Sequence, residues 1–333
     1  MPLEIKDVPK PKPKDNEILV RLSAAALNHR DLFQRQLLYP AIVYDVPLCA
    51  DGVGYVEELG KSVTNFKENE RVLLAPGTGW DSDPVASERP YNILGGNRGG
   101  PGGTLSQYIC VDAQTGAIRC PEYLSDVEAA ALPLAGVTAY RAVFTKGLVK
   151  AGSKVIITGI GGGVALIGMQ MAVAEGADVW VTSGSEEKIQ KAVALGAKGG
   201  INYKSKTWAK DLVARIPGKK VDTVIDSAGG DTFSQCTSIL KVGGIFSCYG
   251  MTLLKPATFA MPAVLKNLEF KGSTMGSFAE FKAMVGIFEK SKIKPVVEKV
   301  FQGLEGADDA FGYMKSGSQF GKIVVTINSQ AKL

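Results

Sequence analysis

The sequence has little histidine and few cysteines. Its 333 residues include one histidine and five cysteines, and no two cysteines form a Cys-x-x-Cys pair. An odd set of scattered cysteines argues against a disulfide framework. So few nitrogen and sulfur ligands also argue against a structural zinc lobe and against a zinc site of the usual composition. We therefore expect no bound metal.

Long apolar runs and blocks of like charge are also lacking. No segment approaches the ~20 apolar residues of a membrane helix. The N-terminal residues are partly acidic and lack the apolar stretch of a secretory signal, and the acids also disfavour a transit peptide. The net charge is +5, from 38 basic and 33 acidic side chains, and it is too scattered for a nucleic-acid arm. We expect a cytosolic protein that binds neither membranes nor nucleic acids.

The first part of the chain, residues 1–123, has the pattern of a β-rich domain. Short apolar segments predict strands at residues 17–22, 52–60, 70–75 and 105–111. Residues 77–103 are rich in Gly, Pro, Asp and Ser and predict a long loop, which at this length is usually either functional or mobile.

From residue 124 onward, strands and helices alternate. Ser125 and Glu128 have the spacing of a capping box at the start of the first helix. The near-continuous apolar strands that follow are typical of a doubly wound parallel sheet with helices on both faces, an α/β fold. We expect residues 124–270 to form this domain. The last helices and the strand at residues 322–327 are predicted to return to the first domain, which then comprises residues 1–123 and 271–333.

A glycine turn follows the first of these strands. Residues 158–165 are Thr-Gly-Ile-Gly-Gly-Gly-Val-Ala, between an apolar strand and a helix. This is the context of a dinucleotide fingerprint, because glycines let the main chain approach a pyrophosphate at a helix N-terminus. The spacing fits Gly-x-x-Gly-x-x-Ala better than the standard three-glycine pattern, and a purely structural turn is the alternative. The residues predicted to contact the cofactor here are Gly159, Gly161, Gly162, Gly163 and Val164.

The end of the next strand favours NADP(H) over NAD(H). NAD enzymes usually place a carboxylate there to bind the ribose 2′-hydroxyl. In this chain residues 182–185 are Thr-Ser-Gly-Ser, and Asp178 lies at the beginning of the strand. The hydroxyl of Ser183, followed by Lys188, favours a 2′-phosphate. Lys188 as a solvated helix lysine is the alternative.

Several segments along the chain form a recognisable set. They are residues 51–56, 59–63, 70–72, 132–140, 159–165, 195–197, 201–203 and 320–325. Together they resemble the medium-chain dehydrogenase/reductase family, in its zinc-independent, quinone oxidoreductase-like branch. The resemblance implies a Rossmann domain, a GroES-like catalytic domain and a homodimer formed through the edge strand at residues 268–271. It adds these expected cofactor contacts: Thr138, Tyr203, Gly250, Met251, Thr274, Met275 and Lys322.

The resemblance also identifies the ligands that are missing. At the catalytic zinc positions of zinc-dependent members this chain has Asn28, Ala50 with Asp51, and Leu134, and the structural-zinc loop contains no cysteine. Without the metal, hydrogen bonds to the developing oxyanion become the expected source of catalysis. The resemblance implies that Asn28 faces the nicotinamide and donates to a substrate carbonyl; a turn or helix-cap asparagine is the alternative.

Tyr39 matches a tyrosine that lines the site of quinone-reducing relatives, where it either donates a proton or packs. Phe33 departs from those relatives, which often have a second tyrosine there. His29 and Asp31 are neighbours on a predicted helix and point in different directions, so a structural role is favoured for both.

Three functions remain open. The first is an NADPH-dependent reductase of a small enone, quinone or carbonyl compound. The second is an enoyl-thioester reductase, whose larger substrate would require a groove beside residues 77–103. The third is a non-catalytic NADPH-binding protein, because a fold does not determine a function.

Overall fold

The computed structural model describes residues 3–38, 45–96 and 102–327. The chain divides into two compact units, one of Met1–Ala135 with Ser277–Leu333 and the other of Gly136–Gly276. The first unit extends past the predicted boundary at residue 123, because the helix Asp126–Ala130 packs on strands of its sheet.

The elements of the first unit lie on both sides of the second unit in the sequence. In order they are β1 Glu17–Ala26, α1 His29–Arg35, β2 Asp51–Leu59, β3 Arg71–Leu74, β4 Gly77–Thr78, β5 Asn92–Ile93, β6 Tyr108–Asp112, β7 Ala117–Arg119 and α2 Asp126–Ala130. The helix α3 Pro133–Tyr140 leads into the second unit, and the first resumes with α9 Phe278–Ser291, β14 Val297–Phe301, α10 Ala307–Ser316 and β15 Lys322–Thr326.

The sheet of the first unit is built around β1. In the described residues its order is β14-β15-β1-β2-β3-β7, and β6 pairs with the other half of the β1 edge. The strand β1 is longer than predicted, because it continues through Ser23-Ala-Ala-Ala and pairs Ala24–Ala26 with β15. Alanine is a weak strand former, so sheet pairing and burial override its local preference here.

In the second unit, α3 continues into a π-helical segment, Arg141–Lys146. The strands and helices of this unit are β8 Lys154–Ile157, α4 Gly163–Ala174, β9 Asp178–Ser183, α5 Glu186–Ala194, β10 Gly199–Asn202, α6 Trp208–Arg215, β11 Val221–Asp226, α7 Thr232–Thr237, β12 Leu240–Cys248, α8 Met261–Leu265 and β13 Glu269–Gly272. The strands are parallel in the order β10-β9-β8-β11-β12-β13. Numbered from the first strand, this is the 3-2-1-4-5-6 order of the Rossmann fold, and it confirms the predicted fold class.

Helices in the described part of the chain are short. The longest is α9, with 14 residues, and no helix there combines the length and the apolar character needed to cross a bilayer.

Candidate functional site

The loop between β8 and α4 is the predicted glycine turn. Gly159 has a φ of +64° and Gly161 a φ of +128°, both of which are costly for a residue with a side chain. Gly162 is the N-cap of α4, whose first two residues are Gly163 and Val164. The turn therefore presents bare main chain at a helix N-terminus, which suits a pyrophosphate.

Side chains from the neighbouring strands bind the residues that lead into this turn. The Thr158 hydroxyl donates to Asp226 Oδ1 at 2.5 Å, and the backbone N–H of Gly229 donates to Asp226 Oδ2 at 2.8 Å. On the other side, Gly159 N donates to the hydroxyl oxygen of Thr182 at 3.3 Å. Burial raises the pKa of Asp226, although the hydrogen bonds to its carboxylate oppose this rise. Asp226 thus connects the glycine turn to the loop after β11.

The carboxyl end of β9 lies beside Tyr203. Ser183 is the last residue of β9, and its carbonyl accepts the backbone N–H of Tyr203 at 3.1 Å. A Cβ at Gly184 would lie 2.9 Å from Tyr203 Oη and 3.3 Å from Lys204 Cε. The absence of a side chain at Gly184 therefore lets Tyr203 and Lys204 pack against the segment between β9 and α5. Lys188 is in the first turn of α5.

The remaining predicted contacts of the second unit lie after β12 and β13 or in α3. Gly250 and Met251 follow β12, and Thr274 and Met275 follow β13. The Thr138 hydroxyl of α3 donates to Met275 Sδ at 3.8 Å, so these two residues are in contact. Carboxyl ends of parallel strands share one edge of a sheet, and this edge is where open α/β sheets bind ligands.

Three buried side chains of the first unit, Asn28, Asp51 and Lys322, form what we call the buried polar cluster. Their exposed fractions are 7%, 0% and 4%. Lys322 Nζ donates to Asp51 Oδ2 at 2.7 Å, to Asn28 Oδ1 at 2.7 Å and to Leu27 O at 2.8 Å. Asp51 Oδ1 accepts the backbone N–H of Leu134 at 2.5 Å. The buried ammonium group therefore has an acceptor for each of its three protons.

Asn28 occupies the N-cap position of α1, where it and Asp31 have the arrangement of a capping box. Its backbone N–H donates to Asp31 Oδ2 at 2.9 Å, while its side-chain Nδ2 donates to Asp51 Oδ2 at 2.9 Å. The helix-cap alternative is thus correct for the position of Asn28, whereas its amide belongs to the buried polar cluster.

Neighbouring residues of α1 have separate contacts. The His29 ring lies 6.2 Å from the Phe33 ring, measured between centroids. Asp31 is fully buried and forms an ion pair with Arg30 at 3.0 Å. Burial raises the pKa of Asp31, and the nearby Arg30 charge opposes this rise. The predicted Tyr39 lies outside the described residues.

Comparisons with known proteins identify the family. Residues 14–122 match the alcohol dehydrogenase GroES-like domain, and residues 163–290 match the zinc-binding dehydrogenase domain. The chain is 42% identical to the zinc-type alcohol dehydrogenase-like protein YogA of Leptosphaeria maculans, over 98% of this chain and 95% of that protein. The chain belongs to the medium-chain dehydrogenase/reductase family. It is an oxidoreductase of the alcohol dehydrogenase type, in a family that depends on nicotinamide dinucleotides.

Relatives with similar sequences are named for different activities. The acryloyl-coenzyme A reductase of Sulfurisphaera tokodaii is 27% identical, over 97% of this chain and 96% of that protein. A crystal structure of an NAD-dependent alcohol dehydrogenase is 32% identical, has a TM-score of 0.87 and covers 97% of this chain and 95% of that chain. These similarities support the pairing of a Rossmann domain with a GroES-like domain, and they leave the substrate open.

The zinc-dependent members of the family raise the question of whether zinc fits this chain. At the positions that the resemblance matches to catalytic zinc ligands, this chain has Asn28, Ala50 and Leu134, and only the adjacent Asp51 offers a carboxylate. That carboxylate already pairs with Lys322. Across residues 3–38, 45–96 and 102–327, no three His, Cys, Asp or Glu side chains converge as metal ligands. This set of side chains does not fit a zinc ion.

The loop of residues 77–103, which the resemblance matches to the structural-zinc loop of the family, is organised by a carboxylate in its described part. Glu88 accepts the backbone N–H groups of Asp81, Ser82 and Asp83, each at 2.8 Å. These bonds lower the pKa of Glu88 to about 2. Hydrogen bonds to the Glu88 carboxylate thus stabilise the backbone of residues 81–83 in a loop that contains no cysteine.

The sequence does not predict two of the buried carboxylates. Asp226 carries a usable signal, because it is an acid at the end of a predicted strand, directly after the apolar pair Val224-Ile225. The pairing of Asp51 with Lys322 carries none, since 271 residues separate them. The predicted cofactor contact of Lys322 remains untested, and the three bonds of its ammonium group all lie within the first unit.

Proposed function

We propose that this protein is an NADPH-dependent reductase that transfers a hydride to a small enone, quinone or carbonyl compound without zinc. The main support is the edge of the second unit, where a glycine turn with two positive φ angles lies beside a strand end without a carboxylate.

The preference for NADPH rests on the surroundings of Ser183. Ser183 ends β9, where an NAD enzyme usually has an acid. The acid of this strand, Asp178, begins it instead and lies 3.6 Å from Lys198. A carboxylate at residue 183 would repel a 2′-phosphate, whereas the Ser183 hydroxyl, Tyr203 and Lys188 supply donors for it.

The chemistry without zinc rests on Asn28. One proton of Asn28 Nδ2 is bound to Asp51, and its other proton has no acceptor among the described residues. We propose that this second N–H donates to the substrate carbonyl oxygen and stabilises the negative charge that develops there. When bound, NADPH supplies the hydride. Tyr39 is the proposed proton donor or packing residue.

A second candidate function is the reduction of an enoyl thioester. The similarity to an acryloyl-coenzyme A reductase over nearly the full length of both chains favours it. The two reactions share hydride transfer to an activated double bond, so they differ mainly in the size of the substrate.

One experiment separates these functions. NADPH and NADH oxidation are followed with 2-cyclohexenone, 1,4-benzoquinone, hexanal and crotonyl-coenzyme A as probes, and the purified protein is analysed for metals. We expect turnover of a small probe with NADPH and no stoichiometric zinc. Turnover of the thioester alone supports the second candidate, and NADPH binding without any turnover supports a non-catalytic role. Tighter binding of NADH, or one zinc ion per chain, would contradict the proposal.

We also propose that the protein is a cytosolic homodimer formed through β13. This strand ends the parallel sheet, and apolar side chains of β13 and α8 are exposed: Phe270 at 37%, Val264 at 51% and Leu265 at 73%. An edge strand beside exposed apolar residues is suited to pairing with a second copy. A monomer by light scattering at micromolar concentration would contradict the dimer.

A further inference from the structure

We propose that Lys322 is a positioning residue for Asn28, whose buried ammonium group fixes the amide so that one N–H remains available for the substrate. The last step rests on the proposed role of Asn28. The fixing of the amide rests on contacts within the first unit alone.

The two contacts of the Asn28 amide allow one orientation only. Its Oδ1 lies 2.7 Å from Lys322 Nζ, and its Nδ2 lies 2.9 Å from Asp51 Oδ2. Exchanging the oxygen and nitrogen would direct N–H groups at an ammonium and a carbonyl oxygen at a carboxylate. Both contacts would then be repulsive, so the charges of Lys322 and Asp51 determine the orientation.

The ion pair also determines how many donors the amide has left. Asp51 accepts one proton of Asn28 Nδ2, and Lys322 occupies the amide oxygen. One N–H therefore remains. Because hydrogen bonds in series polarise one another in a buried environment, an ammonium on the oxygen makes this N–H a stronger donor. Lys322 thus increases the donor strength of Asn28 without contacting the substrate.

A direct contact between Lys322 and a cofactor phosphate would require a different arrangement. The ammonium group is 4% exposed, and its three protons are bound to Leu27 O, Asn28 Oδ1 and Asp51 Oδ2. A phosphate contact would have to replace one of these bonds, and replacing the bond to Asp51 would leave a buried carboxylate without its cation. The two roles of Lys322 therefore predict different effects of the same substitution. A positioning role predicts a lower kcat in Lys322→Met, and a phosphate contact predicts weaker NADPH binding.

The test combines kinetics with an observation of the amide itself. The variants are Asn28→Ala, Lys322→Met and their combination, measured with NADPH and 2-cyclohexenone. We expect Lys322→Met to lower kcat on the order of 10- to 100-fold, which is less than the roughly 100- to 1000-fold cost of removing an oxyanion donor outright, because the Asn28 donor is misoriented and weakened but still present. In the Asn28→Ala background the same substitution should change kcat by less than about twofold, because the two residues act as a unit. The Kd for NADPH, from fluorescence titration, should stay within about twofold of the wild-type value in Lys322→Met.

The amide is followed by NMR, which does not require turnover. The side-chain amide signals of Asn28 are assigned by their loss in Asn28→Ala. We expect shifted, slowly exchanging signals in the wild type, and signals typical of a solvated asparagine amide in Lys322→Met. If Lys322→Met does not fold, the pair Asp51→Asn with Lys322→Met replaces it, because that pair leaves no unpaired buried charge and keeps an oxygen at position 51 that can accept the Asn28 N–H.

Three results would overturn the inference: unchanged Asn28 amide signals without Lys322, additive effects on kcat, or a weakened NADPH affinity with normal kcat. The last would assign Lys322 to the cofactor. If the wild type reduces no probe, the proposed function fails, and the NMR comparison still decides whether Lys322 fixes the amide.

Discussion

We call the carboxyl ends of β8, β9 and β11, where cofactor binding is proposed, the cofactor edge of the second unit. This edge and the buried polar cluster of the first unit differ in how far apart their residues lie in the sequence. The glycine turn is contiguous, and Ser183 ends the next strand along the chain. In contrast, the cluster joins residues that are 23, 271 and 294 positions apart. A contiguous turn leaves a pattern in the sequence, whereas a cluster assembled by the sheet does not.

The two regions also differ in the groups that they use. The glycine turn offers main-chain N–H groups and requires mainly that side chains be absent. The cluster uses a buried ion pair, in which each group depends on the other. Substitutions at the cofactor edge should therefore change ligand binding, while substitutions in the cluster should first change the stability of the fold.

The largest effect is expected for Asp51→Asn. This substitution leaves the buried Lys322 ammonium group without its counter-charge, and we expect it to lower the free energy of unfolding by about 3–5 kcal/mol. Urea unfolding followed by circular dichroism measures the loss. The pair Asp51→Leu with Lys322→Met is the matched control, and it should recover part of the stability because no unpaired charge remains. A loss below about 1 kcal/mol for Asp51→Asn would show that the ion pair is not a dominant interaction.

A smaller effect on binding is expected for Ser183→Asp at the other region. The new carboxylate would lie beside the proposed 2′-phosphate site, and we expect it to weaken NADPH binding by about 2 kcal/mol, or about 30-fold. NADH binding should be unchanged or tighter, since a carboxylate at this position binds a ribose 2′-hydroxyl. Fluorescence titration measures both constants, and Ser238→Asp is the control, because Ser238 is exposed and lies just before the amino end of β12. Equal losses for both nucleotides would contradict the specificity assigned to Ser183.

The contrast between the regions explains how much the sequence predicts. The Rossmann strand order follows from the alternation of apolar strands and helices, and the turn at Gly159 follows from residues adjacent in the chain. The full length of β1 does not follow, because Ala24–Ala26 join the sheet through pairing with β15, far along the sequence. Asn28 shows the same contrast. Its place at the helix N-cap can be predicted from neighbouring residues, whereas its amide contacts with Asp51 and Lys322 depend on the folded sheet.

Thr158→Val tests whether a buried carboxylate at the cofactor edge behaves like the one in the cluster. Asp226 would lose the Thr158 hydroxyl but keep the backbone N–H of Gly229. We expect a loss of about 1–2 kcal/mol in the free energy of unfolding near neutral pH.

This loss should depend on pH. Burial raises the pKa of Asp226, so ionisation of this group opposes folding as the pH rises from its ordinary range through the raised value. Removing a donor to the carboxylate adds to that cost, so the deficit of Thr158→Val should be largest above the raised pKa and should shrink at lower pH. Thr223→Val is the control, because the Thr223 hydroxyl is buried and donates to the neutral carbonyl of Gly147 at 2.8 Å. A pH-independent deficit equal to that of Thr223→Val would mean that Asp226 is not charged in the folded state.

The smallest effect is expected for Glu88→Gln, which tests an exposed carboxylate against the buried ones. Glu88 accepts three backbone N–H groups, and its pKa is lowered to about 2 from an ordinary value of 4.5. Its stabilising effect is therefore present above pH 4.5 and is lost as the pH falls from 4.5 toward 2. Because water screens this exposed site, we expect Glu88→Gln to lower Tm by no more than about 2 °C near neutral pH. Differential scanning calorimetry from neutral pH down to about pH 3 measures the difference from wild type, with the exposed Glu68→Gln as the control. The difference should narrow at the acidic end for Glu88→Gln alone. A difference that stays constant across this range would mean that the loop depends on the shape of the Glu88 side chain and not on its charge.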